Sequence, residues 1–243
     1  MAQPTITANS QAYNPADNNA ATTRTFSSVT IPATANTVFI LFALDATEAS
    51  RTITNISSSD STLNAVRSHF VDVSPSANIR STGLAIYDTR TLGALSVTIT
   101  GTASSSSTNK GILGVVTTDG YLESFAATGE RSSTVIESAS YSGNHANTTM
   151  VLMGSKDGGV GSFSFTTGTE IFATEASAGG ISMYAGKQST NGTGDKLGVK
   201  EIVAAKGDTE ECSELTILIS SQPNPYADID PRGDIISHDI ITN

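Results

Sequence analysis

Three histidines, one cysteine and a scatter of carboxylates are the residues of this chain with reactive chemistry to offer. His69, His145 and His238 share no ligand-like spacing, and His145 sits in the loop-like stretch "SGNHANTT". A zinc site would need such groups in short, paired intervals, so they read as isolated surface or packing residues. Cys212 is the single cysteine, which excludes an intrachain disulfide and a cysteine-based zinc cluster. Its context "ECSELTILIS" alternates like a strand, so it is read as a small buried hydrophobe. Asp119, Glu123, Glu130 and Glu137 are the carboxylates that a glycosidase would pair, yet they fall in loops or on solvent-facing strand positions. Sugar clefts also draw on aromatic platforms, and the chain has no tryptophan and six tyrosines.

Other motifs resolve as structure. "AGGISMYAGKQS" approaches a phosphate loop, but its spacing is one residue off and Gln188 stands at the Ser/Thr position. "SKDGGVG" and "GDTEE" carry oxygen ligands without matching a calcium loop, and Asp-Gly is what a tight turn wants. The sequons at Asn55, Asn147 and Asn191 are what a chain rich in Ser and Thr contains by chance. The expectation is therefore a protein that is not an enzyme and binds neither metal nor cofactor.

The last twenty-two residues, "QPNPYADIDPRGDIISHDIITN", differ from all that precedes them. Arg232, Gly233 and Asp234 form a tripeptide associated with cell attachment, but Asp-Pro-Arg-Gly-Asp is first a turn sequence and the match is taken as incidental. More telling is the doubled Asp-Ile-Ile. Tyr226, Ile229, Ile235, Ile236, Ile240 and Ile241 make this segment too apolar for a free solvated tail. They mark it as an assembly arm that adds a strand to its own sheet or to a neighbouring subunit.

The elements behind these residues are strands. Hydrophobic residues make up 37% and charged residues 15% of the chain, and Ser, Thr and Gly are plentiful, a mixture that suits short strands joined by polar turns. "NTVFILFAL" is continuously apolar, as a strand buried on both faces must be, whereas "LSVTIT" alternates with Leu95, Val97 and Ile99 on one side. About fourteen such runs are spaced as in a sandwich or barrel, with turn signals such as "SKDGGVG" and "SAGG" between them. Only "DSTLNAVRSHF" offers a short helix, and its apolar positions fit a strand as well. No fixed-period repeat is visible. The chain divides into an N-terminal arm over 1–21, one β-sandwich domain over 22–221 and a C-terminal arm over 222–243.

The net charge of −10 disfavours binding to nucleic acid phosphates. No apolar window is long enough for a membrane span, and a secretory leader is not expected from "MAQPTITANSQAYNPADNNAATTRTF".

Four stretches resemble the jelly-roll domains of structural proteins in tailed bacteriophages: "TFSSVTIPATANTVFILFAL", "LAIYDTRTLGALSVTITG", "KGILGVVTTDGY" and "VKEIVAAKGDTEECSELTILI". The resemblance is one of strand and turn pattern and carries no catalytic residue. It implies an all-β antiparallel sandwich, a jelly roll with extended arms. It further implies a virion component, a capsid decoration protein or a tail or fibre subunit, built in the host cytoplasm. Such a component associates with copies of itself and with other capsid or tail subunits. The alternative is a receptor- or carbohydrate-binding module, with Tyr121, Tyr141 and Tyr184 as its available aromatics.

Overall fold

A computed structural model describes residues 3–13, 23–45, 53–58, 68–72, 79–87, 95–103, 111–128, 133–138, 148–159, 163–175, 180–189, 201–221, 227–229 and 235–237. Among them there is no helix, and every strand pairing is antiparallel. The first half of the chain contributes β1 (Gln11–Tyr13), β2 (Thr23–Ile31), β3 (Thr37–Asp45), β4 (Ile53–Ser58), β5 (Ser68–Asp72), β6 (Ile79–Tyr87), β7 (Leu95–Ala103) and β8 (Gly111–Thr118). The second contributes β9 (Tyr121–Thr128), β10 (Val135–Glu137), β11 (Thr148–Asp157), β12 (Ser164–Phe165), β13 (Thr169–Glu175), β14 (Ile181–Ser189), β15 (Val203–Ala205) and β16 (Cys212–Ser220). β17 (Ala227–Ile229) and β18 (Ile235–Ser237) follow. The ambiguous "DSTLNAVRSHF" ends in strand β5.

Strands β1 to β16 form four stacked sheets, and β17 and β18 pair as a separate two-stranded one. Sheet I has the order β2-β7-β4, sheet II β1-β8-β3-β6-β5, sheet III β13-β14-β11-β16-β9 and sheet IV β10-β15-β12. Phe26, Val29 and Ile31 of sheet I pack on Val38, Ile40, Phe42 and Leu44 of sheet II. The other face of sheet II, with Phe39, Leu41, Ala43, Ile112 and Val116, meets Val151, Met153, Met183, Leu215, Ile217 and Ile219 of sheet III. Beyond it, Met150, Leu152, Tyr184 and Leu218 of sheet III are covered by Ile136 and Ala204 of sheet IV.

Alternation along each strand explains why three cores exist. Odd residues of β3 face one layer and even residues the other, so a strand between two cores must be apolar throughout. The run Val38–Leu44 meets that demand, and every one of its side chains is buried, as its unbroken hydropathy predicts. Each of these burials except that of Ala43 contributes roughly 1.5–3 kcal/mol. In β2 the sequence Phe-Ser-Ser-Val spaces two core residues three apart, which simple alternation would send to opposite faces. The register shifts between Phe26 and Val29, and Ser28 there has φ 61°, so a bulge returns both side chains to the core.

The strand order of the first half recurs in the second. Adding eight to each strand number turns β1-β8-β3-β6-β5 into β9-β16-β11-β14-β13, which is sheet III read from its other edge, and β2-β7-β4 into β10-β15-β12, which is sheet IV. Most of the packing between halves obeys the same correspondence, the contact of β1 with β13 being the exception. β8 lies on β14 and β16 on β6, each contact being the exchanged copy of the other, as are β6 on β11 and β3 on β14. β3 on β11 maps onto itself. Such reciprocity defines an isologous interface, so the halves face each other about a local pseudo-dyad near β3 and β11. Residues 11–220 thus hold two topologically equivalent halves sharing a central core, and the first half takes its edge strand β1 from ahead of residue 22, where the sandwich was expected to begin.

Close backbone approach, rather than turn geometry, explains the glycine in the middle of β11. A Cβ on Gly154 would lie 2.6 Å from the Ser213 carbonyl oxygen and against the Tyr184 phenol, so the ring of Tyr184 rests directly on the backbone of β11.

Candidate functional site

Among the described residues, ionisable groups gather where β11 ends beside the β15–β16 connection. Lys156 sits on the sheet IV side of β11, the same side as Met150 and Leu152, because it is an even number of residues from them. Its side chain is 1% exposed, and its ammonium pairs with the carboxylate of Asp208, which is 38% exposed. Asp208 also accepts the Glu210 amide at 3.2 Å through its second oxygen. Lys206 and Glu214 are fully buried nearby in sequence, and the Cys212 thiol donates to Glu214 Oε1 at 3.4 Å. Cys212 is itself 0% exposed and belongs to the core between sheets III and IV.

Burial holds the Asp157 carboxyl above the ordinary value of 3.8, and Glu210 and Glu211 push it further the same way. The amide of Gly158 and the charge of Lys156 oppose that rise. A raised folded value means the native state binds the proton more tightly than the unfolded chain. The stability from that proton is complete below 3.8 and is lost as pH rises through the folded value. Asp157→Asn is therefore expected to raise the melting temperature at neutral pH, and the gain should vanish on acidification below about 3.8; paired thermal melts across pH check it. Among the described residues, no group of three His, Cys, Asp or Glu side chains is placed to hold a metal ion.

Of the carboxylates considered for glycoside chemistry, the three described ones lie on separate elements. Asp119 lies between β8 and β9, where it accepts from the Thr5 amide and hydroxyl at 2.7 and 2.6 Å. Glu123 is on β9, in sheet III, and Glu137 is exposed on β10, in sheet IV. Glu130 falls outside the described residues, as do His145, His238 and Tyr141, while His69 lies on β5. From Ile181 on, the near-phosphate-loop stretch is strand β14. Of the remaining tyrosines considered as a binding platform, Tyr121 is half-buried on β9. Tyr184 is 1% exposed beneath Phe163, their rings 4.7 Å apart, so it serves the core.

Of the proposed assembly arm, Ile229 lies on β17 and Ile235 and Ile236 on β18. These two strands pair with each other, Ile229 opposite Ile235 and Asp228 opposite Ile236. Tyr226, Ile240, Ile241 and the tripeptide Arg232, Gly233 and Asp234 fall outside the described residues. At the other terminus, residues 3–13 lie on the body: β1 pairs with β8, and Pro4 and Ser10 are buried.

Sequence reasoning did not find the buried Lys156, Lys206 and Glu214. A signal existed in "TTMVLMGSK" and "CSELTILI", where a charge falls in phase with apolar neighbours on a strand, the position in which it must be buried and partnered. No family model matches the chain, and no curated protein or solved structure matches it.

Proposed function

We propose that the chain is a structural component of a tailed-bacteriophage virion, a capsid decoration protein or a tail or fibre subunit, and that each half is a jelly roll. One observation carries this reading: the order 1-8-3-6 beside 2-7-4, repeated as 9-16-11-14 beside 10-15-12. A jelly roll distributes its eight strands between two sheets in that interleaved order. The fifth strand of each half departs from it by lying beside the sixth, β5 on β6 and β13 on β14, giving five strands and three instead of four and four.

The mechanism is assembly rather than catalysis: a stiff four-sheet body with terminal segments that dock. The stacked apolar cores and the close approach at Gly154 favour rigidity. The C-terminal hairpin, with its isoleucines, is the segment assigned to contact a second copy or another virion subunit.

Light scattering on the full chain beside a version ending at Ser221 tests this. An oligomer that falls to a folded monomer on truncation supports an intersubunit arm. Equal masses in the two samples refute self-assembly through the tail. Specific binding on a glycan array would move the reading to a carbohydrate-binding module.

A further inference from the structure

The two halves are joined covalently by only Asp119 and Gly120, which lead from β8 in sheet II to β9 in sheet III. Under the strand correspondence, the residues ahead of β1 have this two-residue junction as their counterpart. The first half therefore carries an N-terminal extension that the second has no room for, and the extension runs along the junction.

Its contacts reach both halves. Thr5 donates its amide and hydroxyl to the two carboxylate oxygens of Asp119, and the Thr5 carbonyl accepts from Thr118 Oγ1 at 2.8 Å. Thr7 donates to the Thr117 carbonyl at 2.8 Å, its hydroxyl meets that of Thr117, and Ser10 Oγ accepts the Thr117 amide at 2.9 Å. Toward the second half, the Pro4 carbonyl accepts from Thr149 Oγ1 on β11 at 2.9 Å. Pro4 is buried so near Gly120 that a Cβ there would come within 2.7 Å of its ring. Beneath the extension, Asn36 Nδ2 donates to the Asp119 carbonyl and Thr37 Oγ1 to that of Gly120.

We propose that residues 4–10 are a locking strap that fixes the two halves as one body at their junction. The strap satisfies the junction's polar groups and ties β8 to β11, so its release frees the turn while each half retains its own outer core, between sheets I and II or between sheets III and IV. This inference is independent of the virion reading.

Hydrogen exchange tests it on the full-length protein, on a chain lacking residues 1–10, and on the full-length Thr5→Ala/Thr149→Val variant, which leaves the junction residues unaltered. The informative amides are Asn36 and Gly120, which bond to Thr118 rather than to the strap. Both should exchange about tenfold faster in the two variants, with amides of β3 and β11 unchanged. A peptide of residues 3–13 added to the shortened chain should restore the protection. Unchanged exchange at Asn36 and Gly120 in a folded variant overturns the proposal, because the shared core then holds the junction unaided. Uniformly faster exchange through all four sheets also overturns it, since that reports global loss of stability. If the shortened chain does not fold, the double variant decides by the same two criteria.

Discussion

Phe42→Ala should destabilise the protein by about 3–5 kcal/mol, the cost of emptying a large aromatic site in a core that relaxes only partly. Phe42 is 1% exposed on the central strand of sheet II. Its ring meets that of Phe26 edge-on, with centroids 5.6 Å apart and planes at 74°, a geometry that adds to area burial. The partner ring comes from β2 in sheet I, so the substitution removes the contact that seats the outer sheet. Phe42→Leu restores most of the volume without the ring and should cost markedly less. Chemical denaturation of the two variants beside wild type checks the order. A loss below about 1 kcal/mol for the alanine variant would mean that sheet I does not depend on this core.

The Lys156–Asp208 pair should respond asymmetrically. Asp208→Asn leaves an ammonium that is 1% exposed without its counter-charge, and a loss of roughly 3 kcal/mol is expected. That is the low end of the range for breaking a buried pair, because Asp208 is itself 38% exposed and Asp157 offers partial compensation. Lys156→Met removes the charge and keeps the stem's volume, and it should fall within about 1 kcal/mol of wild type. The released carboxylate can hydrate where it stands. Equal losses for the two variants would contradict this account, since they would make the bond itself, rather than the stranded charge, the dominant quantity. Urea midpoints at neutral pH distinguish the two cases.

Both predictions turn on burial, and the sequence disclosed burial unevenly. The nine-residue stretch "NTVFILFAL" could be assigned to a strand covered on both faces because no other strand environment tolerates an unbroken apolar run. Cys212 was legible as core for a related reason, since it falls in phase with apolar neighbours in "CSELTILI". Lys156 and Glu214 hold the same phase, but their charge argues for solvent, and only the loop at 207–211 and the cover of sheet IV reverse that argument. The bulge at Ser27 and Ser28 was visible only as an irregular spacing between Phe26 and Val29.

The recurrence of strand order was not legible at all. β3 reads "TVFILFALD" and its counterpart β11 reads "TTMVLMGSKD"; β8 reads "GILGVVTT" and its counterpart β16 "CSELTILIS". Each pair shares burial on two faces and little else, and burial accepts many side chains. What recurs is the order in which distant strands pair, a property of the chain's path. Asp119–Gly120 misleads in the same way: in sequence it resembles a hairpin turn, whereas in space it passes from one sheet to the next.

The sequence by itself determined an all-β chain, the position of its most deeply buried strand, the core placement of Cys212 and the strand-like character of the stretch near a phosphate loop. These follow from local periodicity and from the cost of leaving apolar surface in water, which neighbouring residues report directly. The tertiary structure alone decided the four-layer stack, the pseudo-dyad between its halves, the burial of Lys156 and Glu214, and the docking of the N-terminus across the junction. Each of those depends on segments that lie far apart in the chain: Thr5 meets Asp119 and Pro4 meets Thr149 across more than a hundred residues, and Lys156 meets Asp208 across 52. Pairing energy depends on the fit of two surfaces, and no single stretch of chain carries both.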